Sequence, residues 1–147
     1  MKILYDTSVL IAALLIEHSR HALAFPKLEL ARRGEVQGYL STHSLAELYS
    51  VMTRLPPPLR VLPNEAEAAI TDLLEYLQAV SLVAEDYQKV VARMASLELV
   101  GGGVFDAVIA QAALKVGVDQ LLTLNSKDFI RLGDEIAVIV QVPELTD

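Results

Sequence analysis

Four acidic residues lie at the edges of apolar segments and could together form a metal site. They are Asp6 in ILYDTSVLI, Glu47 in STHSLAELYSV, Asp106 in GGGVFDAVIAQAA and Asp128 in LLTLNSKDF. Carboxylates about 4 Å apart repel by roughly 4 kcal/mol per pair at an effective dielectric constant of about 20, so a cluster of them needs cations or protons. Oxygen ligands alone favour Mg²⁺ or Mn²⁺ over zinc. Because two such ions can activate water against a phosphodiester, the predicted chemistry is hydrolysis of nucleic acid.

The elements that must position these acids follow from the period of the hydrophobic pattern, which alternates between strands and helices. Strands are predicted at residues 2–6, 36–41, 79–84, 120–124 and 137–142. Helices are predicted at residues 7–16, 19–34, 43–55, 65–78, 85–99 and 106–117, with a short turn or helix at 126–132. Strands separated by helices favour parallel crossovers and helices on both faces of the sheet. We therefore predict an α/β fold in which residues 1–147 form a single domain.

This fold would bring the acids together. Open α/β sheets bind ligands outside the carboxyl ends of their strands, and Asp6 and the segment 123–128 follow such ends. Glu47 and Asp106 would enter from neighbouring helices. The predicted arrangement is therefore one acidic site at one edge of the sheet.

Each acid also has a purely structural explanation. Asp6 stands where a helix N-cap belongs, and Asp106 again precedes a predicted helix. Glu47 follows Ser44 by the spacing of a capping box. Asp128 could cap a short turn or lie in water. These roles stay open at the level of the sequence.

Composition narrows the class of protein. Hydrophobic residues make up 53% of the 147 residues and aromatic residues 5%, so the core must be mainly Leu, Val, Ile and Ala. The absence of cysteine excludes disulfides and thiolate zinc sites. No apolar run approaches the roughly 20 residues that cross a bilayer. We expect a soluble, cytoplasmic protein with no membrane partner.

The net charge of −7 argues against a broad basic surface for nucleic acid. Metal ions on the clustered acids would neutralise part of that charge, which leaves scattered cations free to contact a backbone. Arg54, Lys127 and Arg131 are predicted near the acids and are candidates for such contacts. Tyr5 and Tyr49 fall in an apolar strand and helix, so core packing is predicted for both.

At these motifs the chain resembles the PIN-domain ribonucleases, specifically the VapC-like toxins of prokaryotic toxin–antitoxin pairs. The resemblance spans essentially the whole length. It is carried by DTSVLIAALL, STHSLAELYSVMTRLP, FDAVIAQAALKVG and LLTLNSKDF, in order and at separations similar to those of the family.

The resemblance implies roles for particular residues. Asp6, Glu47 and Asp106 would be the three principal acids of a catalytic metal site, with Asp128 as a fourth and more variable one. Thr123 and Asn125 look like the polar supports of the family. Some PIN branches carry an acid at the position of Asn125, which leaves open whether Asp128 binds metal directly or through water.

The resemblance also implies a fold, an activity and partners. The fold would be a PIN-like three-layer α/β/α domain with a central, mainly parallel sheet of about five strands, usually in a homodimer. The activity would be that of a Mg²⁺- or Mn²⁺-dependent endoribonuclease. A cognate antitoxin would block the site, and the substrate would be RNA.

Two other functions compete with this hypothesis. One is a PIN-like binding module that keeps its acids but has little or no nuclease activity. The other is a metal-assisted phosphatase with Asp6 as covalent nucleophile, because DTS is similar to the start of haloacid-dehalogenase phosphatases. In that family a second Asp stands where this chain has Ser8. The triple glycine at residues 101–103 is interpreted as a loop. His18, His21 and His43 lack the spacing of metal ligands, which favours a surface or structural role without metal.

Overall fold

The computed structural model describes residues 1–145, which form a five-stranded sheet and eight helices. The strands are β1 (Lys2–Tyr5), β2 (Gln37–Ser41), β3 (Leu77–Val80), β4 (Gln120–Leu122) and β5 (Val140–Gln141). The helices are α1 (Thr7–Leu14), α2 (His21–Arg32), α3 (Thr42–Arg54), α4 (Pro63–Leu73), α5 (Ala84–Ser96), α6 (Gly103–Val116), α7 (Ser126–Ile130) and α8 (Asp134–Ala137). The order is β3-β2-β1-β4-β5 and every pairing is parallel, as predicted.

Two hydrophobic cores lie on opposite faces of this sheet. In β1, Ile3 and Tyr5 belong to one core and Leu4 to the other, because successive side chains of a strand point to opposite faces. Helices α1 to α4 complete the first core, and α5 to α8 complete the second. The predicted three-layer α/β/α arrangement is therefore confirmed.

The strand order creates the place where a site can form. β1 is flanked by β2 and β4, so the chain builds the sheet in one direction from β1 and later returns to its other side. In open α/β sheets the crevice at such a switch point is the usual position of a ligand. Asp6 follows β1 and Thr123 follows β4, which places both residues at this crevice.

The boundary between α4 and β3 differs from the prediction. The predicted helix 65–78 and strand 79–84 correspond to a helix that ends at Leu73 and a strand that begins at Leu77. Leu77 pairs with Gly38 and Val80 with Ser41 of β2. Pairing with β2 therefore decides the conformation of a segment whose apolar spacing also suits a helix.

The last predicted strand, at residues 137–142, is also shorter in the structure. Residues Asp134–Ala137 form α8, and β5 contains only Val140 and Gln141. These two residues pair with Leu121 and Leu122 of the short strand β4. Within residues 1–145, no helix combines the length and the apolar character that a bilayer crossing requires.

Candidate active site

A cleft of about 560 Å³ opens at the carboxyl end of the sheet. Three of the four predicted acids line it, namely Asp6, Glu47 and Asp106. We call this feature the acid cleft. Side chains from β1, α1, α3 and α6 therefore meet at one place although they are distant in the sequence.

Asp6 is the most buried of these acids, with 4% of its surface exposed. The hydroxyls of Ser8 and Thr123 both donate hydrogen bonds to Asp6 Oδ2, at 2.7 and 2.8 Å. Burial raises the pKa of Asp6, and these two hydrogen bonds oppose that rise. Asp6 occupies the N-cap position of α1, but its side chain makes no capping hydrogen bond. The capping explanation for Asp6 is therefore wrong.

Backbone groups orient the two hydroxyls. Asn125 N–H donates to Thr123 Oγ1 at 2.9 Å, and Leu124 N–H donates to Ser8 Oγ at 3.0 Å. Each hydroxyl thus accepts a hydrogen bond from a backbone N–H of the loop after β4 and donates a hydrogen bond to Asp6. Thr123 is fully buried, whereas the side chain of Asn125 lines the acid cleft. The sequence prediction missed Ser8 as a support of Asp6, although Ser8 stands two residues after Asp6 in the DTS motif.

Glu47 lies in the middle of α3 and not at its start. The N-cap of α3 is Ser41, whose side chain accepts a hydrogen bond from His43 N–H. The capping box with Ser44 is therefore wrong. Instead, Thr7 Oγ1 donates to Ser44 Oγ at 2.8 Å, which joins the start of α1 to the first turn of α3. This contact holds the helix of Glu47 beside Asp6.

Asp106 lies in the first turn of α6, which begins three residues earlier than predicted, at Gly103. Its N-cap is Gly102, so Asp106 does not cap the helix. Burial, followed by the charges of Asp6, Asp128 and Glu47, raises the pKa of Asp106 to about 7, while Arg131 opposes the rise. The other acids are thus near enough to disfavour the ionisation of Asp106.

Asp128 has a different position from the other three acids. It is exposed on α7 and does not line the acid cleft. Its charge nevertheless contributes to the raised pKa of Asp106. Direct metal binding by Asp128 stays a prediction.

A divalent cation fits the donor chemistry of the acid cleft. Carboxylate oxygens are the ligands that Mg²⁺ and Mn²⁺ prefer, and a cation would relieve the repulsion that raises the pKa of Asp106. Within the described part of the chain, however, no three acidic or histidine side chains stand close enough to share one ion. Direct contact of one cation with three of these acids would therefore require their side chains to move closer together, whereas one or two carboxylates with water molecules could hold Mg²⁺ as they stand.

Residues other than the acids also line the acid cleft. His18 and Arg20, from the loop between α1 and α2, line it together with apolar side chains. The sequence prediction missed both residues, because nothing local indicates that this loop faces the acids. Arg54 and Lys127 are exposed and do not line the cleft.

Arg131 is close to the acids as predicted, whereas Tyr49 is not in the core. Arg131 lies against α6, since a Cβ added to Gly103 would stand 2.7 Å from its Nη2 atom. From there its charge lowers the pKa of Asp106. Tyr5 is buried as predicted, but Tyr49 is 44% exposed, so the core position predicted for Tyr49 is wrong.

Comparison with known proteins identifies the family. The family model of the PIN domain matches residues 3–135, which include all four acids and their supports. The chain belongs to the PIN domain family. This PIN domain is 35% identical over 139 residues to Ribonuclease VapC40 of Mycobacterium tuberculosis, covering 91% of this chain and 96% of the relative. It is also 35% identical over 108 residues to Ribonuclease VapC27 of the same species, covering 74% of each chain.

A solved structure supports the same PIN fold. VapBC2 from Rickettsia felis, bound to a DNA fragment from the promoter, superposes with a TM-score of 0.69 at 20% identity. The match covers 98% of this chain and 100% of that one. At this level of identity the likeness concerns the fold alone. It extends over the whole PIN domain described above.

Proposed function

We propose that this PIN domain is a Mg²⁺- or Mn²⁺-dependent endoribonuclease and the toxin of a toxin–antitoxin pair. The observation that carries the proposal is the convergence of Asp6, Glu47 and Asp106 on one cleft at the switch point of the sheet. Two relatives at 35% identity are named ribonucleases, which supports the reaction class.

The three acids of the cleft would hold the metal ion, and Asp128 would contribute from the side of α7. A bound Mg²⁺ or Mn²⁺ activates a water molecule and stabilises the charge that develops on the scissile phosphodiester. Burial and the charges of the neighbouring acids raise the pKa of Asp106, and a bound cation would favour its ionised form.

The remaining side chains position these groups. The hydroxyls of Ser8 and Thr123 orient the Asp6 carboxylate, and the Thr7–Ser44 hydrogen bond holds α3 in place. With a metal ion held by the acids, a water molecule would be the attacking group. Arg20, which also lines the cleft, would contact a phosphate of the RNA, since an arginine guanidinium matches the geometry of phosphate oxygens.

The proposed partners follow from the same assignment. A cognate antitoxin would cover the acid cleft and keep RNA out of it. One structural neighbour at 19% identity, VapC20 of Mycobacterium tuberculosis, is described as a toxin that cleaves the sarcin-ricin loop. A homodimer and a location in the cytoplasm complete the proposal.

Cleavage of total RNA by the purified, antitoxin-free protein tests the function. The reactions contain Mg²⁺, Mn²⁺ or EDTA, and they are repeated with Asp6→Asn and with Asp72→Asn, which neutralises an exposed acid on α4. We expect discrete fragments that require the metal, disappear with Asp6→Asn and persist with Asp72→Asn.

Other outcomes would favour the competing functions. Wild-type cleavage by Asp6→Asn would overturn the site assignment. Hydrolysis of p-nitrophenyl phosphate without any cleavage of RNA would indicate the phosphatase. Metal binding measured by calorimetry without hydrolysis of either substrate would indicate a binding module.

A further inference from the structure

An aromatic pair stands beside the acid cleft without lining it. The rings of His43 and Phe105 are parallel to within 4°, with their centroids 5.3 Å apart. This is the offset arrangement that stacked aromatic rings prefer. The pair joins the first turn of α3 to the first turn of α6.

Each member of the pair adjoins one acid of the cleft. His43 precedes Glu47 by one helical turn, and its Nε2 atom lies 3.5 Å from Glu47 Oε2. Phe105 immediately precedes Asp106, and consecutive Cα atoms are about 3.8 Å apart. Only the imidazole of His43 therefore lies between the Phe105 ring and the Glu47 carboxylate.

Phe105 does not contribute its full surface to the core. Its side chain is 51% exposed, while the residues that follow Asp106 in α6, from Ala107 to Ala113, are all buried. Packing of the second core therefore does not require an aromatic ring at position 105. Contact with His43 fixes the position of the ring and leaves much of it open to solvent.

The imidazole of His43 is packed against the Phe105 ring. Its Nε2 atom is buried, and within residues 1–145 it makes no hydrogen bond. The Glu47 carboxylate and the Phe105 ring both lie beside the imidazole. The imidazole thus supports the Phe105 ring from one face.

We propose that Phe105 is a stacking platform for an RNA base next to the scissile phosphate, with His43 as its positioning residue. The inference rests on the proposed ribonuclease function. Unstacked RNA bases are commonly bound on aromatic side chains, and such stacking tolerates any sequence because every base has a π-face. The acids would bind the RNA backbone at the scissile phosphate, and the Phe105 ring would stack on the adjoining base.

Other exposed aromatic side chains lack this relation to the acids. Tyr49 follows Glu47 by two residues, but within residues 1–145 it has no stacked histidine partner that joins it to an acid. Phe25 pairs with His21 on α2, with centroids 5.1 Å apart, but the rings are tilted by 31° and Phe25 does not line the acid cleft. Phe25 is 40% exposed, so it provides a matched control.

Binding of a short oligouridine with one central 2-aminopurine tests the platform. All variants carry Asp6→Asn so that the probe is not cut. Phe105→Leu should raise the dissociation constant roughly 5- to 100-fold, the loss expected for one stacked base. It should also abolish the quenching of 2-aminopurine fluorescence that stacking causes.

The controls separate stacking from other effects. Phe105→Tyr and His43→Phe keep a stacked pair and should bind the probe as the parent does. His43→Ala should weaken binding, and Phe25→Leu should leave it unchanged. Circular dichroism of each variant shows whether the fold is retained.

Two results would overturn the platform. One is equal affinity and equal quenching for Phe105→Leu and the parent, and the other is the absence of probe binding by the parent. Failure of the ribonuclease proposal gives a different pattern, because the wild-type protein would then cut no RNA even where the probe stacks on Phe105. Unchanged RNA binding combined with loss of antitoxin binding by Phe105→Leu would assign the ring to a protein interface instead.

Discussion

Thr123 and Asp6 are 117 residues apart in the sequence, and the threonine hydroxyl donates a 2.8 Å hydrogen bond to the aspartate carboxylate. Thr123 is fully buried and Asp6 nearly so. The bond connects the carboxyl ends of β4 and β1, the two strands on either side of the switch point. The orientation of the Asp6 carboxylate thus depends on the pairing of two strands as well as on Ser8 of its own helix.

Thr123→Val removes this hydrogen bond while keeping the shape of the side chain. Supports of this kind typically contribute about 10- to 100-fold to metal affinity or activity, so RNA cleavage should fall by roughly that factor. The free energy of unfolding should fall by about 1–3 kcal/mol, because a buried carboxylate loses a donor. Cleavage kinetics and urea unfolding measure the two effects.

Two variants serve as controls for this prediction. Thr123→Ser keeps the hydroxyl and should retain most of the activity. Thr71→Val alters an exposed threonine on α4 and should change neither quantity. Full activity of Thr123→Val would show that Asp6 does not need this support.

The pKa of about 7 for Asp106 makes the stability of the metal-free protein depend on pH. The folded state binds the proton of Asp106 more tightly than the unfolded state does. The contribution of this proton to the free energy of unfolding is therefore fully present at low pH. It declines as the pH rises from about 4 to about 7. Asp106→Asn removes the charge, so in EDTA it should be more stable than wild type at pH 8, by about 1–2 kcal/mol after solvent screening.

Urea unfolding of both proteins at pH 5 and pH 8 checks this sign. Addition of Mg²⁺ or Mn²⁺ at pH 8 should stabilise the wild type and have little effect on Asp106→Asn, since a ligand that binds only the folded state stabilises it. Stability of the wild type that rises between pH 5 and pH 8 relative to the variant would contradict the raised pKa.

Gly103→Ala tests the position of Arg131. The added Cβ would stand 2.7 Å from Arg131 Nη2, so the flexible side chain must move away from α6. Asp106 then loses part of the charge that lowers its pKa. We expect cleavage to fall by about two- to fivefold with little change in stability, because an exposed charge contributes about 1 kcal/mol or less.

RNA cleavage by Gly103→Ala, by Arg131→Gln and by the double variant shows whether displacement of Arg131 causes the loss. If displacement of Arg131 is responsible, Gly103→Ala should have no further effect in the Arg131→Gln background. Independent, multiplicative losses in the double variant would mean that the methyl group acts through α6 itself.

Much of the fold was predictable from local pattern. Alternation of strand and helix periods is a property of short segments, so it indicated the parallel α/β sheet without reference to distant residues. It failed where two patterns overlap, as at Leu77, whose conformation is decided by its pairing with Gly38 in β2. The short strand β5 likewise depends on how much of β4 is available to pair.

The candidate active site, like the fold, was predictable only in part from the sequence. The sequence by itself determined the family, through four motifs in order, and it indicated Asp6, Glu47, Asp106 and Thr123 as members of one site. Each lies in or beside a segment whose own pattern predicts an element, and parallel strands bring their carboxyl ends to one edge of the sheet.

Only the tertiary structure decided which side chains reach the acid cleft. It brought in Ser8 and Arg20, left Asp128 outside, and placed Glu47 and Asp106 within their helices rather than at caps. It also raised the pKa of Asp106, because burial and charge proximity depend on distances between elements that are remote in the chain. Such distances follow from the packing of whole helices and strands, and no short stretch of sequence contains them.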